Sequence, residues 1–270
     1  MPSISEISYS REETVQAIRD YYRFLISMYM DESMLEEPPE QGWESIDRNH
    51  WKDFDKTDEV VDLLRHLPYI RVEVIGRKAY GAPSCEFADW QGKPADVGGQ
   101  NSYGGTEPYL DETAIPPHIV GLTNERENGA TFLLDTQFGV IYWYECPNEV
   151  RFKNDQVEGD GYGWADDGLI PEDQADWRCE SGVWDIKDFF EMLKRNFEQL
   201  NFVPVGSRIV KAVWDSGPEP ERMQEMISAV QKIYRDHGWP DKTRYRKQDC
   251  LAKIEAMMSA QFPDVDLDWY

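Results

Sequence analysis

Histidine and cysteine are the scarce reactive side chains of this chain: His50, His66, His118 and His237, with Cys85, Cys146, Cys179 and Cys250. A zinc site usually draws paired ligands from residues close in sequence, because they must converge on one ion at ~2.0–2.3 Å. No two of these eight are near neighbours and no Cys-x-x-Cys pair occurs. The spacing predicts no metal centre, no cofactor and four reduced, mostly buried thiols. Nucleophile motifs are missing as well: Gly-x-Ser-x-Gly does not occur, and Ser84-Cys85 has no histidine close by in sequence. A catalytic pocket would need the fold to bring Cys85, His118 and Asp135 together beside the loop 76–117. The plainer reading makes Cys85 a small buried hydrophobe.

Glycine-rich stretches invite phosphate or calcium readings and fail both. A phosphate-binding Walker loop places a lysine after its glycines, and Val97 to Tyr103 holds none. A calcium loop counted from Glu158 finds Asp160 and Gly163 in place, but Tyr162 and Leu169 stand where oxygen ligands belong. The acids there read as a solvated loop.

Aromatic residues offer a different chemistry. In Tyr142-Trp143-Tyr144, strand alternation sends Trp143 to one face and both tyrosines to the other. One face must be core. The other is either an exposed aromatic site, of the kind that anchors protein interfaces, or a second buried face under a helix. On the first alternative Tyr142, Trp143 or Tyr144 anchors a partner, and Asp160, Asp166 and Asp167 from the following acidic loop supply charge.

These residues need a scaffold, and hydrophobic periodicity outlines one. Val15, Ile18, Tyr22, Leu25 and Tyr29 share a helical face behind a Ser10 cap with Glu13 three residues on. An acidic loop follows, then a short helix capped by Thr57 or Asp58 that stops before Pro68. Ile70 to Val74 alternates as a strand, and the pattern dissolves between Gly76 and Pro117. Residues 118–123, 131–134 and 140–144 read as a three-stranded antiparallel meander, with turns at 127–129 and 135–139. Residues 145–180, with eleven acids against three basic residues, read as a flexible linker that Trp164 and Trp177 anchor. Ile186 to Leu200 is the clearest helix, residues 207–214 form a strand, and two helices around 223–237 and 251–258 end the chain.

Composition bounds the function. The 270 residues carry a net charge of -24, which excludes a phosphate-backbone or anionic-membrane partner, and 13% aromatic content excludes general disorder. The start Met1-Pro2-Ser3-Ile4-Ser5-Glu6 has neither the basic residues nor the apolar run of a secretory signal, and no Asn-x-Ser/Thr acceptor occurs. A cytoplasmic protein is expected.

One stretch is familiar. A strand ending Leu133-Leu134-Asp135-Thr136, a turn at Gly139 and a strand Val140-Ile141-Tyr142-Trp143 precede an acidic segment. A helix follows, opening Trp184-Asp185-Ile186-Lys187-Asp188-Phe189-Phe190-Glu191-Met192-Leu193. This order resembles the SUKH superfamily, which groups Smi/Knr-type yeast cell-wall regulators with bacterial toxin-immunity proteins. The segments Leu67-Pro68-Tyr69-Ile70 and His237-Gly238-Trp239-Pro240 also resemble proteins of filamentous fungi. The resemblance implies an α+β fold, an antiparallel sheet with helices packed against it, serving as a non-catalytic binding module. The expected organisation is a SUKH-like domain over 1–204, with its core at about 57–204, and a helical C-terminal extension over 205–270 on the same body. The expected partner is a protein, basic by charge complementarity; the oligomeric state stays open. An enzyme pocket, or an acidic mimic that inhibits a basic protein, are the alternatives.

Overall fold

The hairpin at residues 131–144 forms the middle of the main sheet in the computed structural model, which describes residues 1–48, 55–71, 79–91, 106–108, 110, 115–124, 129–265 and 267. Strands β7 (Thr131–Asp135) and β8 (Val140–Tyr144) pair antiparallel, with Phe132 opposite Trp143 and Leu133 opposite Tyr142. β5 (Ile119–Gly121) joins on the β7 side and β9 (Gly182–Asp185) on the β8 side, giving the order β5-β7-β8-β9. Gly139 closes the hairpin turn at φ 72, a left-handed conformation that costs glycine nothing. A smaller sheet joins β3 (Tyr80–Ala82), β4 (Cys85–Phe87) and β6 (Thr123–Asn124). Two further pairs join β1 (Leu35–Glu36) to β2 (Tyr69–Ile70) and β10 (Phe202–Pro204) to β11 (Val210–Ala212).

The longer helices stand where periodicity places them. α1 (Arg11–Met28) starts at Ser10, whose hydroxyl accepts the Glu13 N–H, and α2 (Asp58–His66) starts at Thr57, which caps Val60. Three short helices lie in the acidic segment: α3 (Asn148–Arg151), α4 (Gly161–Asp166) and α5 (Ala175–Glu180). Then come α6 (Ile186–Glu198), α7 (Pro220–Asp236) and α8 (Lys247–Gln261). The fold is α+β, with antiparallel sheets and a helical C-terminal region.

Alternation along the hairpin divides the interior in two. Phe132, Leu134, Ile141 and Trp143 face a large core shared with α1, α6, α7 and α8. Leu133, Val140 and Tyr142 face a smaller one built from Ile4, Val157, Trp164, Ile170, Trp177 and Val183. The sheet is therefore covered on both sides. Tyr142 and Trp143 are buried at 0% and 3% exposure, so neither is an exposed anchor. The cause is the segment 145–180, which is not a linker: its apolar residues fold back over the second face of the sheet. Gly161 permits the tight junction of α4 and α5, since a Cβ there would lie 2.2 Å from the Ala175 carbonyl oxygen.

Other departures are local. Trp184 and Asp185 end strand β9 instead of opening the helix, and the Asp185 carboxylate caps α6 by accepting the Lys187 and Asp188 N–H groups. Of the strand expected at 70–74, Ile70 pairs in β2, while 72–74 fall outside the described residues, as do 127 and 128 of the expected turn. Most of 92–114 is outside them too, yet β3 and β4 lie in the stretch where the sequence shows no pattern. The C-terminal helices dock on α1 and α6. The Trp239 indole donates to the Phe197 carbonyl at 3.0 Å, the Tyr245 hydroxyl to Met28 at 2.7 Å, and Lys247 to Ile26 at 2.6 Å. Among the described residues no helix is long and apolar enough to cross a membrane.

Trp143 is thus a core residue, and its removal is a matter of stability. We expect Trp143→Ala to lower the free energy of unfolding by ~3–5 kcal/mol. Exposed Asp166→Asn should change it by no more than ~0.5 kcal/mol. Urea denaturation of both variants checks this.

Candidate functional site

Asp135, at the end of β7, is fully buried and organises a polar centre under the acidic segment. Its Oδ1 accepts the backbone N–H groups of Gln137 at 2.8 Å and Phe138 at 3.1 Å, which shapes the hairpin turn. Its Oδ2 accepts from the guanidinium of Arg178 at 3.2 Å. Arg178, on α5, is 1% exposed. It also donates to the Tyr142 hydroxyl and, at 2.9 Å, to Gln174 Oε1. Its charge lies 4.6 Å from the centre of the Trp177 ring and 4.8 Å from that of Tyr142. Burial pushes the Tyr142 hydroxyl far above its ordinary pKa, so it stays protonated.

His118 borders this centre. Its Nε2 lies 3.9 Å from Asp135 Oδ1, too far for a hydrogen bond, and has no partner among the described residues. Burial lowers the imidazole pKa; Asp135 opposes that shift, while the positive charges of Arg178 and Lys56 add to it. Lys56 is itself buried and ion-paired with Glu107 at 2.8 Å. Desolvation pulls its ammonium pKa down despite that partner.

Cys85 does not join them. The thiol sits in the large core, where burial raises its pKa far above the ordinary value and keeps it a thiol. Asp135 follows Leu133 by two residues and faces the other side of the sheet. The fold therefore unites His118 and Asp135 and separates Cys85 from the pair. All four cysteines are free, and among the described residues no group of three or more metal-ligating side chains converges.

The expected binding residues divide by burial. Tyr142 and Trp143 are core, and Tyr144 is half-buried. Asp160, Asp166 and Asp167 are exposed on and beside α4; Asp160 caps that helix by accepting the Gly163 N–H at 2.9 Å. Periodicity passed over the apolar residues beside them. Among the described residues, the large hydrophobic side chains left exposed are Met1, Phe152, Tyr162 and Leu169. Three of the four fall in this acidic segment, with Phe152 at 73% and Tyr162 at 54% exposure. The Tyr162 hydroxyl donates to Asp176 at 2.6 Å, which holds the ring against the outer surface. Phe152 and Asp160 line one cleft of about 280 Å³, together with Glu158 and Gly159. Their sequence signal was available: isolated large apolar residues within a run of acids. Arg178 gave a similar signal as the basic residue between Trp177 and Cys179.

No protein-family model matches the chain, and neither a curated protein nor a solved structure matches it.

The polar centre makes two energetic demands. Asp135→Asn leaves the Arg178 guanidinium buried without its counter-charge and should cost ~3–5 kcal/mol. Asp135→Asn combined with Arg178→Met should regain part of that loss in urea denaturation. His118 acts through pH. Its folded pKa lies below the unfolded value of about 6.5, so the unfolded chain binds the proton first. Stability then falls as pH drops through about 6.5 towards the folded pKa. We expect His118→Gln to lose less stability than the parent between pH 7.5 and 5, in paired denaturation curves.

Proposed function

We propose that the chain is a non-catalytic protein-interaction module, and that it binds a basic partner through the outer face of the acidic segment, residues 152–173. The observation that carries this reading is the coincidence of exposed apolar anchors and negative charge. Phe152, Tyr162 and Leu169 stand exposed in the segment that also holds Asp160, Asp166 and Asp167. Aromatic side chains are favoured anchors at protein interfaces. Long-range attraction by the acids accelerates encounter with a basic surface. The anchors supply the short-range part of the affinity, which salt does not screen.

Chain order adds support. A hairpin, an acidic segment and a helix follow one another as in the SUKH resemblance, and a binding module of that superfamily is the family reading proposed here. In this chain the partner docks on the layer that covers the sheet, since the sheet face itself is occupied. A cytoplasmic location belongs to the same proposal, with the free thiols kept reduced.

The test is partner capture by the tagged full chain at ~150 and ~500 mM salt. The double variant Phe152→Ser, Tyr162→Ser should lose the captured partner at both salts, by ~2 kcal/mol or more per true anchor. Its melting temperature should stay unchanged, because both side chains are exposed. Asp166→Asn should weaken capture by less than ~1 kcal/mol, and less again at high salt. Undiminished capture by the double variant refutes this surface.

A further inference from the structure

A cleft of about 280 Å³ opens where strand β8 ends, and none of its lining residues belongs to the acidic face of 152–173. Its size is just below the ~300–1,000 Å³ range of small-molecule pockets, so it suits one side chain or a compact ligand. The rings of Trp143, Tyr144, Phe202 and Trp214 contribute to the lining. Trp214 stands edge-on to Phe202, centroids 5.9 Å apart at 69°, and Trp214 and Tyr144 are both half-buried. Packing against Phe202 orients the Trp214 ring.

Two carboxylates share the same space, those of Glu145 and Asp215. Asp215 is half-buried, and its Oδ2 accepts the Ala212 N–H at 2.8 Å. Burial holds its carboxyl above the ordinary range, although that hydrogen bond and the charge of Lys211 act in the opposite direction. Such a carboxylate gains from an additional cation. Ser84 and Glu145, both in the lining, have left-handed backbone at φ 50 and φ 52. Non-glycine residues in that region collect at ligand clamps.

We propose that this cleft binds a single organic cation on an alkyl stem, as a lysine or arginine side chain of a partner presents it. Aromatic faces and carboxylates both attract a cation, and the half-buried Tyr144 and Trp214 rings with Pro147 receive the stem. The net charge of -24 raises the local concentration of cations and repels anionic ligands.

The experiment is an NMR titration of the full chain at ~150 mM salt, following the indole N–H of Trp214, identified by its loss in Trp214→Phe. The probes are capped tripeptides centred on lysine, arginine or norleucine, together with n-butylamine. Lysine or arginine peptides should shift the Trp214 signal saturably, and the norleucine peptide should not. Asp215→Asn and Glu145→Gln should each raise the half-saturating concentration about tenfold, while Asp166→Asn and Asp167→Asn leave it unchanged. Glu145 is exposed, so its variant carries the test if Asp215→Asn fails to fold. Saturable binding of n-butylamine as tight as that of the lysine peptide keeps the cation site and assigns it to a soluble amine. Equal shifts by norleucine and lysine overturn the cation assignment. So does weakening by Asp166→Asn as large as that by Asp215→Asn, or an unmoved signal with every probe. None of these outcomes bears on partner capture through Phe152 and Tyr162.

Discussion

A guanidinium in an apolar layer persists only where a carboxylate and hydrogen-bond acceptors meet it, and Arg178 is held on those terms. Its partner Asp135 belongs to the hairpin at the centre of the sheet, whereas Arg178 itself belongs to the acidic segment. The pair therefore fixes where one layer sits on the other. Gln174 and the Tyr142 hydroxyl take further guanidinium protons, and Trp177 and Tyr142 stack against its charge. Hydrogen bonds from the Val157 N–H to the Val183 carbonyl and from the Val183 N–H to Gln156 tie the same layer to the edge strand β9. A directional, charge-paired contact specifies one register, and this is the role for which buried polar groups are best suited.

That contact has opponents. Residues 145–180 hold eleven acids, whose mutual repulsion favours an extended chain. Folding the segment brings those charges closer together but turns them outward, where water and salt screen them. Val157, Trp164, Ile170 and Trp177 turn inward and are buried against Leu133, Val140 and Tyr142. Apolar burial contributes roughly 25 cal/mol per Å², and two tryptophans contribute more of it than any other residues in the layer. The helices are short because glycines and Pro171 interrupt them, so their stability comes from this packing and from caps such as Asp160.

Period and capping made much of the framework legible. Ser10 and the pair Thr57-Asp58 marked helix starts, and the alternation in 131–144 marked the hairpin, whose register the structure supplies. Alternation also showed that Trp143 and Tyr142 face opposite ways, but it could not show what lies beyond the second face. That depends on a layer contributed by residues 145–180, whose composition reads as solvated because the acids outnumber the inward apolar residues. Strands β3 and β4 escaped for a related reason. Each is three residues long and wholly buried, too short for a period to show. Asp135 and His118 could be named from sequence only as members of a set. Their third expected partner, Cys85, lies in the other core, and Arg178 takes its place beside Asp135.

The covered sheet also constrains where a partner can act. With Tyr142 and Trp143 committed to the two cores, neither ring can anchor the proposed partner, and the anchors proposed on the acidic segment stand on the outside of the covering layer. Phe152 and Tyr162 are exposed there although the protein has buried most of its other large rings. Leaving such side chains in water forgoes the stabilisation that burial gives elsewhere, roughly 1.5–3 kcal/mol for a ring of this kind. In an acidic segment the arrangement also separates two functions. In the proposed interaction, charge sets how fast a basic partner arrives, and the rings set how slowly it leaves. The Asp135–Arg178 pair ties to the sheet the layer that carries both, so the buried polar centre has a positioning role for the proposed surface, which it does not itself touch.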